Sequence, residues 1–241
     1  MANLIVDIGN TALKAAWSEG VTLGKTFRYQ GERIIDYILS LTVKVKPSVM
    51  VISTVRDLDA RDVSRLENEC SRLVLMDRSH TDENTSHMLP SFLTPDRAAS
   101  IVASRYLFRN RGCTIFDLGT TLTIDFLDSA GNYDGGCISP GCRTRFKSIN
   151  RYSKSLPLID TPEVIEERGT SLSSSVASGV IKGMMFEIDG YISQYPENIV
   201  VFTGGDAIYF AKRMKNSIFV VCNLVLIGLA LIADENDKRI S

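Results

Sequence analysis

Leu4-Ile5-Val6-Asp7-Ile8-Gly9-Asn10-Thr11 and Thr114-Ile115-Phe116-Asp117-Leu118-Gly119-Thr120-Thr121 follow one plan, and that shared plan decides the fold. In each, a short apolar run leads to an aspartate, one more apolar residue, a glycine and two residues able to donate hydrogen bonds. The run has the length and composition of a buried strand, and the glycine with its polar neighbours reads as a tight loop at the strand end. Residues 12 to 18 and 21 to 28 then read as two more strands joined through Glu19-Gly20. After the second copy, Leu122 to Leu127, the turn Asp128-Ser129-Ala130-Gly131 and Tyr133 to Ile138 repeat that meander. Two matching openings predict an α/β protein of two similar lobes, residues 1–110 and 111–241, with mixed central sheets and a ligand cleft between the lobes.

Between these openings the pattern alternates. Helical spacing around 33 to 41 is followed by a buried strand at Ser48 to Thr54 and a charged helix over 58 to 71. From His80 to Pro95 the chain is polar and irregular, as a surface loop would be, and Asp96 to Phe108 resumes a helix. Ile218 to Ala233 is too short to span a bilayer comfortably and carries Asn223 in its middle; it reads as a buried strand leading into a core helix.

Composition narrows the function. The 241 residues are 44% hydrophobic and 23% charged, the proportions of a packed globular chain. Lys plus Arg total 27 against 28 for Asp plus Glu, so no bulk field favours a nucleic acid, and no segment favours a membrane. The five cysteines (Cys70, Cys113, Cys137, Cys142, Cys222) are scattered without zinc-ligand or C-x-x-C spacing, which suits a reduced cytoplasmic protein. The start of the chain lacks the basic run of a signal peptide.

Phosphoryl transfer needs positioning and charge neutralisation, hence backbone N–H groups, hydroxyl donors and a carboxylate for a metal. Both loops hold this inventory. Gly9 and Gly119 let the backbone approach a phosphate, Asn10, Thr11, Thr120 and Thr121 can donate to its oxygens, and Asp7 and Asp117 can hold Mg²⁺. Gly204-Gly205 follows another apolar run and reads either as a nucleotide contact or as a helix start needing small residues. Asp96-Arg97 reads as a base for a primary hydroxyl with a cation for an anionic substrate, or as a plain helix cap. The basic stretch Arg143, Arg145, Lys147, Arg151 and Lys154 is either a phosphate neutraliser or a solvated helix face. Gly20 to Thr26 imitates a P-loop but has three residues between its glycines where four are needed, and it lies in a strand pair.

Taken in order, these motifs resemble the type III pantothenate kinases of the actin-like superfamily. The resemblance rests on Asp7 to Thr11, Asp96-Arg97, Asp117 to Thr121 with Thr123 and Asp125, Gly135-Gly136, Pro140-Gly141, Leu156-Pro157, Ser178-Gly179 and Thr203-Gly204-Gly205. It implies two ribonuclease H-like lobes, a homodimer, and ATP with Mg²⁺ and a monovalent cation, K⁺ or NH₄⁺. It further implies Asp96 as base, Arg97 as the pantothenate contact and Asp125 at the monovalent cation. Three departures stand out. Thr94-Pro95 precedes Asp96 where the family has glycine and one further residue. Leu172, with Ser171 beside it, falls where the family has a substrate-contacting threonine. Ser153-Lys154 replaces a Thr-Ala pair. Thr94 and Ser171 are therefore the expected substrate contacts at altered positions. The departures leave open a nucleotide-binding regulator without kinase activity, or a kinase of another hydroxyl compound.

Overall fold

The computed structural model describes residues 2–240. In the first sheet β1 (Asn3–Ile8), β2 (Leu13–Glu19) and β3 (Thr22–Tyr29) form the expected antiparallel meander. On the other side of β1, β4 (Val49–Thr54) and β5 (Arg72–Met76) add in parallel, giving the order β3-β2-β1-β4-β5. The second sheet copies this plan. Its meander is β6 (Cys113–Leu118), β7 (Thr121–Leu127) and β8 (Tyr133–Pro140); β9 (Ile199–Thr203) and β10 (Ile218–Val220) lie parallel beyond β6, in the order β10-β9-β6-β7-β8. The helices are α1 (Ile34–Thr42), α2 (Ala60–Glu67), α3 (Asp82–Ser86), α4 (Pro95–Leu107), α5 (Cys142–Tyr152), α6 (Leu172–Gln194), α7 (Ala207–Ala211) and α8 (Leu224–Ile240).

Strand periodicity sorts residues onto faces. Leu4, Val6, Ile8, Leu13, Ala15, Met50 and Ile52 form one core with Ile35 and Ile38 of α1 and Leu66 of α2. Ile5, Asp7, Val51 and Ser53 therefore share the opposite face, the side on which α8 and α4 pack. In the second sheet Phe116, Leu118, Leu122, Ile124, Phe126 and Phe202 form a core with α5, α6 and α7. Ile115, Asp117, Thr123, Asp125 and Thr203 belong to the other face.

The chain divides by packing into residues up to Leu107 together with those from Asn223 onward, and residues 108–222. The boundary read at 110/111 misses this return. The duplicated opening marks where a sheet begins and carries no information on where the last helix docks; α8 settles on β1, β4 and α4. The loop expected between His80 and Pro95 contains the one-turn helix α3, held by buried Asn84, whose side chain donates to the carbonyls of Pro90 (3.4 Å) and Leu93 (3.1 Å). The P-loop imitation is a hairpin: Gly20 turns with φ 54° and Lys25 lies 5.7 Å from the Phe27 ring.

The α4–α8 crossing depends on Gly228, where a Cβ would run into the Ala99 carbonyl group of α4. Backbone cannot swing aside as a side-chain tip does. Gly228→Ala should lower the unfolding free energy by about 1–3 kcal/mol, the usual cost of overpacking, as read by urea denaturation.

Candidate active site

In the first loop Gly9 N–H donates to the Ala12 carbonyl (3.1 Å), closing a turn so tight that a Cβ on Gly9 would lie 3.3 Å from that oxygen. Asp7, one residue before the strand end, lies opposite Lys14 on β2 and Ser53 on β4. Directly opposed residues share a face, so Lys14 stands on the acid's side of the sheet. Ser53 Oγ reaches Asp7 Oδ1 at 3.5 Å. Lys14 was missed in the sequence, where it is an ordinary lysine in a strand; only the strand register brings it to the acid.

Asp96 begins α4, on the same side of the first sheet. The Thr94 carbonyl accepts the Ala98 N–H at 3.0 Å, which makes Thr94 the N-cap and Pro95 the first helical residue, a position proline favours. Asp96 Oδ1 then accepts the Arg97 N–H at 3.0 Å. The cap position falls to Thr94, which leaves Asp96 at the second helical position, where Oδ1 serves a first-turn N–H and Oδ2 is not part of that bond. Arg97 is buried, 7% exposed. Among the described residues positive φ outside glycine occurs only at Met88 and Asn110, so position 94 has no need of glycine's backbone freedom.

The second unit gathers Asp117, Gly119, Thr120, Thr121, Gly204 and Gly205. Asp117 lies in register with Thr203, and the Leu118 carbonyl accepts the Asp206 N–H at 3.0 Å, drawing the glycine pair against the acid. Gly204 takes φ 92°, and a Cβ there would strike Asp117 Oδ1 and come within 2.5 Å of the Leu118 carbonyl oxygen. Gly205 has nothing within 4 Å of the place its Cβ would take. The first glycine serves packing, and the second leaves an open face for a ring or a phosphate. Burial pushes the Asp206 carboxyl above its ordinary range. Gly141, which the sequence offered only inside a Pro-Gly pair, packs its backbone on the loop: its N–H donates to the Thr120 carbonyl at 3.1 Å, and a Cβ would strike the Gly119 oxygen.

Asp125 is 2% exposed, next to a register slip in the β7–β8 ladder between Asp125 and Leu127. Ser171 is the N-cap of α6, its hydroxyl accepting the Ser174 N–H at 3.1 Å in a reciprocal capping box, while Leu172 is 62% exposed. Of the basic stretch, Arg145 is spent on the Pro140 carbonyl (2.7 Å), Ser139 (3.0 Å) and an ion pair with Glu187. Burial raises the thiols of Cys70 and Cys113 to about 11, and that of Cys142 upward as well, so all three are protonated at neutral pH.

Two copies of a three-strand meander extended by parallel strands, each with an acid–glycine loop, define the ribonuclease H-like fold of actin-like ATPases and sugar kinases. A ROK hexokinase from Thermus thermophilus matches at a TM-score of 0.56 with 15% identity, over 98% of this chain and 99% of that one. A conserved protein from Campylobacter jejuni assigned to the Baf family of transcriptional activators matches at 0.66 with 21% identity, over 98% and 99%. Residues 3–194 match the type III pantothenate kinase family. Type III pantothenate kinases of Bacteroides fragilis (34% identity over 99% of this chain and all of that one) and Cytophaga hutchinsonii (35%, over 97% and 99%) are close in sequence. This chain belongs to the type III pantothenate kinase family.

The glycine pair gives a stability test that needs no ligand. Gly204→Ala should cost about 1–3 kcal/mol through its clash and its left-handed φ, whereas Gly205→Ala should stay within about 0.5 kcal/mol of wild type, both by urea denaturation.

Proposed function

We propose that this chain transfers the γ-phosphoryl group of ATP to the primary hydroxyl of pantothenate, giving 4'-phosphopantothenate at the start of coenzyme A synthesis. Membership of the family, together with Asp96 and Asp7 on one side of the first sheet, carries the reading. Asp96, through the oxygen not engaged by the helix, accepts the hydroxyl proton as the alcohol oxygen attacks phosphorus. Arg97 and the neighbouring Thr94 hold the pantothenate end, with Ser171 as a further contact. The loops of Gly9, Asn10 and Thr11 and of Gly119, Thr120 and Thr121 take phosphate oxygens, and Gly204 and Gly205 admit the nucleotide.

The donor set suits ATP with Mg²⁺. Among the described residues no group of three or more acidic, histidine or cysteine side chains could cage a metal. A magnesium ion needs none, since it is usually held by phosphate oxygens, waters and one or two carboxylates, a role open to Asp7 and to Asp117, each within its own unit. When bound it neutralises charge building on the transferred group. Asp125 we assign to a monovalent cation, K⁺ or NH₄⁺, on the family pattern and on its place as a buried carboxylate beside the β7–β8 register slip. No helix among the described residues is long and apolar enough to cross a membrane. With free cysteines and an ATP substrate, the cytoplasm is the fitting compartment.

We assign a homodimer to the exposed stripe of α6. Leu172, Ser175, Gly179, Gly183, Phe186 and Gly190 recur at helical spacing; Phe186 is 73% exposed, and nothing lies within 4 Å of a Cβ placed on Gly179, Gly183 or Gly190. Beside it, α5 and α6 enclose an open groove of about 380 Å³. A bare, small-residue helix face admits the close approach of a second helix.

Wild type with ATP, Mg²⁺ and K⁺ should convert pantothenate, and Asp96→Asn should lower turnover by at least about a hundredfold while ATP affinity by calorimetry changes less than about threefold. No turnover by wild type under any cation would reject the kinase. Phe186→Glu should shift the protein from dimer to monomer in sedimentation velocity; a wild-type monomer would remove the dimer assignment.

A further inference from the structure

Arg56 lies outside every motif read in the sequence, yet it is fastened to the first phosphate loop. Its backbone is fixed just beyond β4, where Arg56 N–H donates to Thr54 Oγ1 at 2.9 Å and that buried hydroxyl donates back to the Arg56 carbonyl at 3.0 Å. Strand β4 runs beside β1 with Thr54 in register with Ile8, so the residue after it arrives at the loop. There Arg56 Nη2 donates to the carbonyls of Gly9 (3.2 Å) and Asn10 (2.9 Å).

A peptide group is planar and, with no cis bond among the described residues, trans, so its C=O and the next residue's N–H point in opposite directions. Holding the Gly9 carbonyl on the guanidinium aims the Asn10 N–H away from it; holding the Asn10 carbonyl does the same for the Thr11 N–H. These are the loop donors to which the proposed function assigns phosphate oxygens. The second loop shows the same device with neutral donors. Thr120 matches Asn10 in the repeat, and its carbonyl is held by Thr144 Oγ1 at 2.6 Å and Gly141 N–H at 3.1 Å.

We infer that Arg56 is a positioning residue for nucleotide binding, which aims the Asn10 and Thr11 N–H groups at the triphosphate by anchoring the two carbonyls behind them. The inference rests on the phosphate role given to that loop. It assigns Arg56 no contact with substrate. Being exposed and outside the core, Arg56 can be replaced without emptying a packed site.

The test measures binding of a non-hydrolysable ATP analogue with Mg²⁺ by calorimetry for wild type, Arg56→Ala and Arg56→Lys. It is run at about 0.05 and 0.5 M inert salt, with thermal unfolding and the pantothenate KM alongside. Arg56→Ala should weaken the analogue about tenfold at both salt concentrations, the scale of hydrogen bonds to a charged donor. Its unfolding midpoint and pantothenate KM should remain close to wild type. Arg56→Lys should recover part of the loss, since an ammonium keeps donors for the carbonyls. Wild-type affinity in Arg56→Ala overturns the inference, and so does a loss that disappears at high salt, because a screened effect is field and not orientation. A wild type that binds the analogue but leaves pantothenate unphosphorylated rejects the acceptor reading alone, while the Arg56 comparison still decides the inference.

Discussion

Burial on both faces of β1 and β6 is the constraint from which the rest follows. Leu4, Ile5 and Val6 are wholly buried in one strand, and Cys113, Ile115 and Phe116 nearly so in the other. In both strands the carboxylate stands near the end, on the side away from α1 and α2 in the first sheet and from α5, α6 and α7 in the second. That places Asp7 and Asp117 at the same point of two sheets. The glycine turn follows at once because the chain must reverse into β2 or β7 within a few residues. Position, charge and turn are thus one solution used twice.

The sheets were legible because their signal is local. Strand runs, the meander turns and the repeated acid–glycine string all declare themselves within about ten residues; the buried strand expected from Ile218 is instead β10, a three-residue edge strand with Phe219 and Val220 exposed, because only β9 pairs with it. Three kinds of information were not local. Strand β5 escaped because Arg72 to Met76 follows a helix without a turn signal and is recognised as a strand only beside β4. Helix α8 returns to the first unit because its apolar side fits α4, a choice that no repeat encodes. Lys14, Arg56 and Thr144 become neighbours of the loops through register and loop closure, and nothing in their own stretches of sequence sets them apart; Gly141 stood in a motif, but its packing on the Thr120 carbonyl did not show there.

The departures from the family pattern change meaning once their backbone is visible. Thr94-Pro95 stands where the family has glycine and one further residue, one of the departures that leave a non-catalytic regulator open. In place, the pair is a good helix start, with an N-cap and a proline at the first helical position delivering Asp96 to the second. The left-handed residue of this region is Met88, far enough upstream that the loop closes through Asn84 before the helix begins. Leu172 likewise lies on the exposed stripe of α6, where an apolar side chain suits a helix face waiting for a partner, and the capping hydroxyl is supplied by Ser171. Neither change removes a group from the acid–glycine loops. The case for a decayed, non-catalytic relative therefore loses the observations that raised it.

The two loops differ in how their shared carbonyl is held, and the difference has a physical reason. Around the second loop, β8 ends against it and α5 begins there, so a peptide N–H and a threonine hydroxyl are already within reach of the Thr120 carbonyl. At the first loop β3 ends opposite Leu13, and the donor that reaches the loop carbonyls comes from the exposed segment after β4. A long side chain reaches both carbonyls, and arginine offers two N–H donors on one terminal nitrogen, fixed in the plane of a permanently charged guanidinium where lysine's donors rotate freely. An arginine behind the loop also adds positive potential there. The two loops are equally exposed, so the difference lies in the donors within reach: a peptide N–H and a hydroxyl for the second, a guanidinium for the first.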